Sequence, residues 1–485
     1  MTSLDTAPSR NTQPQVSVPL CVDLDGTLIR SDLLVESALA LLAKQPLMAF
    51  AIPIWLLRGK AYLKQQIAQR VELNPAVLPY NEDVLAWVRQ QQSSRTTVLC
   101  SAADTKLATL VADHVGGFDA VIASDGEQNL SGSNKAKVLV ERFGERRFDY
   151  IGNAKVDLHV WKSANAAIVV ESGSRLSSAA AGVTVVERTF THGAATLKHW
   201  LKALRVHQWI KNVLVFLPVL AAHRIFEPHA LLSAVLAFIC FGLCASSVYV
   251  TNDLLDLGAD RQHRRKRHRP FAAGNIPLYK GPIAALLLLV ISFSLAWLLT
   301  PSFVLMLLGY YVLTTGYSLK FKRMVMLDVI VLALLYTSRI LAGAAAIQSR
   351  PSFWLLAFSM FIFLSLAMIK RYTELLAAQK SSSIKAAGRG YVVEDLSLIQ
   401  SLGGSSGYLS VLVLALYIDS TASQSLYRHP HYLWLLCPLL LYWISRTWAI
   451  AHRGLMHDDP VVFAVMDNVS RGLLLLAATI VIASI

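Results

Sequence analysis

The chain has 485 residues, of which 54% are hydrophobic, and a formal net charge of +14. That length argues against one compact domain, and a mean hydropathy of +0.48 is too high for an ordinary soluble protein. The positive charge flanks apolar runs and carries no interleaved aromatics. An anionic membrane surface and phosphorylated substrates explain it, and nucleic acid is not an expected partner.

Residues 1–16 are read as a disordered N-terminus, with no apolar core or cleavage site of a signal peptide. From 17 to 195, short β-branched runs alternate with helical stretches. The runs are Val16–Val22, Thr96–Cys100, Ala120–Ala123, Asp149–Ile151, Ala167–Val170 and Val183–Val186. Buried strands separated by helices predict a mostly parallel sheet in an α/β, Rossmann-like domain. An insert at about 31–95 predicts a helical cap. Its apolar run Leu47–Leu57 is too short to span a bilayer securely and contains Pro53, so it fits a helix lying on the sheet or on a membrane surface.

Residues 196–485 predict an all-α polytopic membrane bundle. Nine spans are expected, at about 209–223, 230–251, 279–299, 302–318, 327–347, 352–369, 402–418, 431–449 and 469–485. Six basic residues (Arg261, Arg264, Arg265, Lys266, Arg267, Arg269) follow the second span, and the loops near 320 and 370–390 are also basic. The opposite loops, near Arg224, Pro301, Arg350 and Arg428, carry little charge. The positive-inside rule then predicts an inner-membrane protein whose α/β domain is cytoplasmic. The five cysteines form no C-x-x-C pair and predict packing residues, not disulfides.

Asp23-Leu24-Asp25-Gly26-Thr27 follows the first strand, so two carboxylates stand at a strand's C-terminal end, where open α/β sheets build their sites. Asp23 is placed to attack phosphorus and Asp25 to protonate a leaving group. Ser101 closes the second strand, Lys135 supplies a cation, and Asn153 and Asp157 bring oxygen ligands to another strand end. This order resembles the haloacid dehalogenase superfamily over about residues 17–190. The resemblance implies Asp23 as nucleophile, Asp25 as acid and base, Ser101 and Lys135 on phosphate, and Mg²⁺ held by Asp23, Asp25 and Asp157. Asn153 stands where many members carry Asp, which weakens metal binding.

Asn252, Asp253, Asp256 and Asp260 end the second span. Carboxylates are costly there unless they serve a purpose. Asn252, Asp256 and Asp260 are spaced i, i+4 and i+8, with Asp253 one position off that line, so one helix face is expected to present hard oxygen ligands suited to Mg²⁺. With the downstream Arg269-Pro270-x-x-x-Gly274, the stretch resembles the UbiA superfamily of intramembrane prenyltransferases over about residues 197–485. That resemblance implies a helical bundle with a Mg²⁺-bound diphosphate at its cytoplasmic mouth.

The second acidic motif of aromatic-acceptor members is absent. In its place stand Lys320 and Lys322, then Asp328, Tyr336 and Arg339 on one helix, and Lys370 and Arg371 after the sixth span. Lys211 lies in His207-Gln208-Trp209-Ile210-Lys211-Asn212, and Asp458-Asp459-Pro460 forms a further polar set. These motifs resemble the decaprenyl-phosphate phosphoribosyltransferase branch. The resemblance implies 5-phosphoribose 1-diphosphate as donor and a polyprenyl phosphate as acceptor, with Lys211, Asp253, Lys320, Lys322, Asp328, Tyr336, Arg339, Lys370 and Arg371 as substrate contacts. The fused domain would remove the 5-phosphate of the product, in cell-envelope precursor synthesis. Two alternatives remain: prenyl transfer from a prenyl diphosphate to an aromatic or other small acceptor, and a transporter or scaffold with a regulatory domain.

Overall fold

The computed structural model describes residues 17–380, 389–456 and 459–485. The expected disordered segment 1–16 and Asp458 of the D-D-P motif lie outside the described residues. The chain divides into two compact units, one running to Ala203 and including Val250–Ile283, the other made of Leu204–Tyr249 and Ala284–Ile485.

The first unit is built on six parallel strands: β1 (Leu20–Asp23), β2 (Thr97–Asp104), β3 (Ala120–Ser124), β4 (Asp149–Gly152), β5 (Ala166–Glu171) and β6 (Val185–Thr191), in the order β3-β2-β1-β4-β5-β6. Side chains alternate faces along each strand, so one core takes Leu20, Val22, Leu99, Ile151 and Ile168, and the other Cys21, Val98, Cys100, Tyr150 and Ala167. Apolar residues on both faces are what a parallel sheet covered by helices requires. The chain leaves β1 toward β2 on one side and β4 on the other, so the C-terminal end of β1 is the topological switch point. β2 runs past Ser101 to Asp104, with a register irregularity between Cys100 and Asp104. Asp104 then accepts from the Lys106 N–H and starts the next helix.

The insert between β1 and β2 is helical: α1 (Leu33–Lys44), a 3₁₀ turn at Pro46–Phe50, α2 (Ala51–Leu57), α3 (Lys60–Arg70) and α4 (Glu82–Gln91). Asp32 caps α1 by accepting from the N–H groups of Leu34 and Val35 at 2.8 and 3.1 Å. The Val250–Ile283 segment packs onto the start of this insert. Arg261 donates both terminal nitrogens to Glu36 of α1, at 3.0 and 2.6 Å, and its Nε to the Ala272 carbonyl at 3.0 Å. Gly274, at φ +70°, lies so close to Arg30 that a Cβ there would come within 2.9 Å of the Arg30 Cβ.

The second unit is a helical bundle. Among the described residues six helical segments are long and apolar enough to cross a membrane: α5 (Pro228–Leu255), α6 (Pro301–Leu319), α7 (Leu327–Ala346), α8 (Phe353–Lys380), Val393–Ile418 and Pro430–His452. A seventh is possible if Pro460–Met466 and Asn468–Ser484, bent by 76°, count as one span. Nine spans were expected, and the count is corrected. Val206–Ala221 is 3₁₀ helix as far as Phe216 and only then a short α-helix, Leu217–Ala221, and Lys280–Ala296 has only 17 residues, about 25 Å of rise against a hydrocarbon core of about 30 Å.

The buried Glu36–Arg261 pair makes a prediction. Arg261→Met leaves Glu36 charged without a partner and is expected to cost about 3–5 kcal/mol, read as a lowered unfolding midpoint of the purified protein. Combining it with Glu36→Leu should recover most of that loss.

Candidate active sites

At the switch point, Asp23 is buried and its Oδ1 accepts from Lys135 Nζ at 2.6 Å, while Oδ2 accepts from Thr27 Oγ1 at 3.2 Å. Lys135 also donates to Tyr150 Oη at 2.8 Å and to the Cys100 carbonyl at 3.3 Å. Tyr150 passes its own proton toward Asp157 Oδ1 at 3.2 Å. Asp157 Oδ2 accepts the backbone N–H groups of Asn153 and Ala154 at 3.0 and 2.9 Å. Asp25 accepts from the Leu33 N–H at 2.8 Å and from Ser101 Oγ at 3.4 Å. These residues therefore form two hydrogen-bonded sets, Asp23–Lys135–Tyr150–Asp157 and Asp25–Ser101, at the ends of neighbouring strands. Gly26 is required by geometry, since at φ +75° its missing Cβ leaves room for the Asn153 amide 2.0 Å away.

Burial, and then the charges of Asp32 and Asp23, raise the Asp25 pKa to about 7. A carboxyl still protonated near neutrality can donate a proton to a leaving group. Burial and then the Asp23 charge raise Asp157 to about 6, while Lys135 partly opposes the rise. Two carboxylates thus share a single lysine. The donor set fits a hard cation in kind, with all-oxygen ligands and unspent lone pairs on Asp23 and Asp157. Tyr150 was not foreseen as part of this site. Its position on β4 next to the expected ligand turn was the available signal.

The Asn252–Asp260 stretch differs from expectation in which carboxylates meet. α5 ends at Leu255, and Asp256 caps a short helix, Leu257–Gln262, while the i+4 hydrogen bonds from Asp256 N to Asn252 O and from Asp260 N to Asp256 O persist at 2.9 and 2.8 Å. At about 100° per residue, eight positions turn Asn252 and Asp260 about 80° apart, whereas seven positions bring Asp253 and Asp260 within about 20°. Asp253 and Asp260 accordingly share one cation, Arg269 Nη1, at 3.0 and 2.5 Å, and both carboxylates are buried. Asn252 and Asp256 are half-buried beside them. Among the described residues no three acidic, imidazole or thiol groups surround a common metal position. Two convergent carboxylates still fit Mg²⁺, which commonly takes one or two carboxylates and completes its shell from water and substrate phosphate.

In the second unit the expected binding residues separate into two buried groups. In the first, Asp459 Oδ2 accepts from Lys211 Nζ at 2.8 Å and Lys370 Nζ at 3.0 Å, and Oδ1 accepts from Tyr336 Oη at 3.4 Å. Arg339 donates to Asn212 Oδ1 at 2.9 Å and to Tyr310 Oη at 3.0 Å, with its guanidinium 5.6 Å from the Tyr336 ring centre. A small cavity, about the size of one water molecule, opens beside Tyr336, Lys370 and Asp459. In the second group, Arg371 donates to Asp328 at 2.5 Å and to Tyr317 Oη at 3.0 Å, and pairs with Glu374. Tyr391 Oη donates to Asp328 at 2.5 Å. Asp328 therefore parts from Tyr336 and Arg339, which eight and eleven residues of helix carry to another neighbour. Lys320 is exposed at the end of α6 and Lys322 is half-buried in the following turn. Asp459 is the residue whose weight the spacing did not reveal. Only folding shows two lysines, 159 residues apart, meeting on it.

Residues 213–466 match the UbiA prenyltransferase family. The chain is similar to an uncharacterized protein, y4nM, of Sinorhizobium fredii, with 37% identity over 458 residues that cover 93% of this chain and 88% of that one. It is also similar to the nodulation protein NoeC of Azorhizobium caulinodans, 37% identical over 56% of this chain and 88% of that one. The decaprenyl-phosphate phosphoribosyltransferase of Mycobacterium tuberculosis is 35% identical over 211 residues, 42% of this chain and 70% of its own.

The Asp157 carboxyl predicts how Mg²⁺ binding to the sheet-end site depends on pH. Its proton is held below about pH 6, so metal and proton compete there. Affinity measured by titration calorimetry should fall as the pH drops through about 7 and then about 6, where Asp25 and Asp157 take up protons, and level off above both. Asp157→Asn should remove the lower of these two steps.

Proposed function

Because the chain belongs to the UbiA prenyltransferase family, we propose that this multi-pass membrane enzyme transfers 5-phosphoribose from 5-phosphoribose 1-diphosphate to a polyprenyl phosphate. The observation that carries this reading is a charge imbalance. Among the described residues, Lys211 and Lys370 share one carboxylate, Asp459, while Arg339, its guanidinium near the Tyr336 ring, donates only to neutral oxygens. Among the described residues the buried Asn212 Nδ2 has no acceptor. A buried positive excess with an unused donor calls for an anionic ligand, and phosphate groups on both substrates supply one. The similarity to a decaprenyl-phosphate phosphoribosyltransferase supports the same substrate pair.

An oxygen of the lipid phosphate attacks the anomeric carbon of the ribose. The new C–O bond forms as the bond to the diphosphate breaks, and the diphosphate departs with the electron pair. No general base is needed, since a phosphate monoester is already anionic at neutral pH. Lys211, Lys370 and Arg339 hold phosphate oxygens and fix their orientation. Arg371, committed to Asp328 and Glu374, positions the helix that carries Lys370. Asn252, Asp253, Asp256 and Asp260 would hold Mg²⁺, which when bound would supply positive charge toward a departing diphosphate.

The α/β unit then takes the 5-phosphate from the lipid-linked product, as a phosphatase of haloacid dehalogenase type. Asp23 attacks phosphorus while Asp25 gives its proton to the departing ribose oxygen. Asp25 next takes a proton from the water that hydrolyses the aspartyl-phosphate. Lys135 and Ser101 bind the phosphoryl oxygens. The y4nM similarity runs through both parts of the chain, which supports one two-part chain, and the basic loops favour the inner membrane with the α/β unit on the cytoplasmic side.

Membranes carrying the protein, given labelled 5-phosphoribose 1-diphosphate and a polyprenyl phosphate, should place label in the lipid phase. Asp256→Ala and Asp260→Ala should each lower that transfer by about 10²–10³-fold. Label entering lipid only from a prenyl diphosphate with an aromatic acid would support the other transferase chemistry. Lys211→Ala combined with Lys370→Ala should weaken donor or acceptor binding, seen as a raised KM.

Asp23→Asn should leave transfer intact while the lipid product keeps its 5-phosphate, read by mass spectrometry. Product phosphorylation unchanged from the wild type would end the phosphatase assignment.

A further inference from the structure

One surface of the α/β unit serves neither site. The segment Pro46–Leu57 has two apolar faces. Met48, Ile52 and Trp55 pack on Leu41, Leu63, Ile67 and Val71. Leu47, Phe50, Ile54 and Leu57, spaced by three, four and three residues, are 79%, 76%, 60% and 88% exposed. Among the described residues from 17 to 196, five of the eight exposed large hydrophobics fall within Leu47–Leu57. The inner face alone completes the fold of the cap, so the outer face is left for something else.

The charges around it name the occupant. Between Glu36 and Glu72 the chain has no acidic residue and five cations, Lys44, Arg58, Lys60, Lys64 and Arg70. Lys44, Arg58 and Lys60 are exposed at the two ends of the apolar face. An apolar stripe rimmed only by cations suits the interface of an anionic leaflet. A second copy of the same face would bring like charges together. A bilayer is also always near, because α5 is long enough to cross one and its last residues, Val250–Leu255, belong to this same unit.

We propose that Pro46–Leu57 is an interfacial anchor, lying in the plane of an anionic leaflet. Leu47, Phe50, Ile54 and Leu57 enter the headgroup–acyl boundary, and Lys44, Arg58 and Lys60 meet lipid phosphates. The anchor stands on exposure and charge alone. Its use, holding the Asp23 site where a lipid-borne phosphomonoester can reach it, rests on the phosphatase assignment above.

All five native cysteines are buried, so a single introduced cysteine can be labelled selectively. The full chain, reconstituted in phosphatidylcholine–phosphatidylglycerol nanodiscs, carries bimane at Phe50→Cys, Ile54→Cys or, as an exposed control, Lys137→Cys. Spin-labelled lipid should quench bimane at 50 and 54 but not at 137. Aqueous iodide should quench position 50 about tenfold less than 137. Lys44→Glu with Arg58→Glu and Lys60→Glu should abolish the lipid quenching. Position 50 as open to iodide as 137, with no lipid quenching, overturns the anchor, as does a Phe50→Cys disulfide between two copies. Equal quenching in pure phosphatidylcholine overturns the anionic-leaflet assignment. These readouts need neither enzymatic activity, so failure of the anchor and failure of the phosphatase are separable.

Discussion

A carboxylate withdrawn from water must meet a cation or several N–H groups, and that requirement shapes every polar site in this protein. Asp23 is held by Lys135, Glu36 by Arg261, Asp253 and Asp260 by Arg269, Asp328 by Arg371, and Asp459 by Lys211 and Lys370. Each pairing joins residues distant in sequence, or closes a loop that would otherwise stay in solvent. Packing of apolar helices and strands brings these groups near one another, and the pairing then fixes which ones touch.

Two kinds of buried charge follow from that principle. Arg371 meets two carboxylates, so its charge is spent on structure. Among the described residues Lys211 and Lys370 share Asp459 and Arg339 meets only neutral oxygens, and the proposed function assigns this positive excess to an anionic ligand. The distinction turns a list of basic residues into a division of labour. Arg269 occupies a middle position, since it pairs with Asp253 and Asp260, two of the three carboxylates to which Mg²⁺ is assigned.

The first unit links its chemistry through one helix. Asp25 accepts the first N–H of α1, and one turn later Glu36 of α1 grips Arg261, which follows Asp260 directly. The cap thus stands between the D-x-D-G-T turn and the Asn252–Asp260 stretch within a single compact unit. Lys64 of the cap reaches the Ala102 carbonyl at 2.5 Å and Asn129 at 2.7 Å, further tying α3 to the end of the sheet.

Much of this was legible in the sequence because it depends on local pattern. Six β-branched runs became six parallel strands, and the D-x-D-G-T motif had to sit at a strand end because it follows one directly. Apolar composition by itself required a membrane bundle, yet it overstated the spans, since hydropathy does not register that 206–216 winds as 3₁₀ helix or that 280–296 is one turn short. Helical spacing placed Asp253 off the line of ligands, whereas the structure pairs it with Asp260, because seven residues close two turns better than eight. Local sequence therefore determined the elements, their apolar faces and the kinds of chemistry on offer. Tertiary packing alone decided which charges meet, because the cationic partners of Asp23, Glu36 and Asp459 lie 89 to 248 residues away and are selected by the folded interior's intolerance of an unpaired charge.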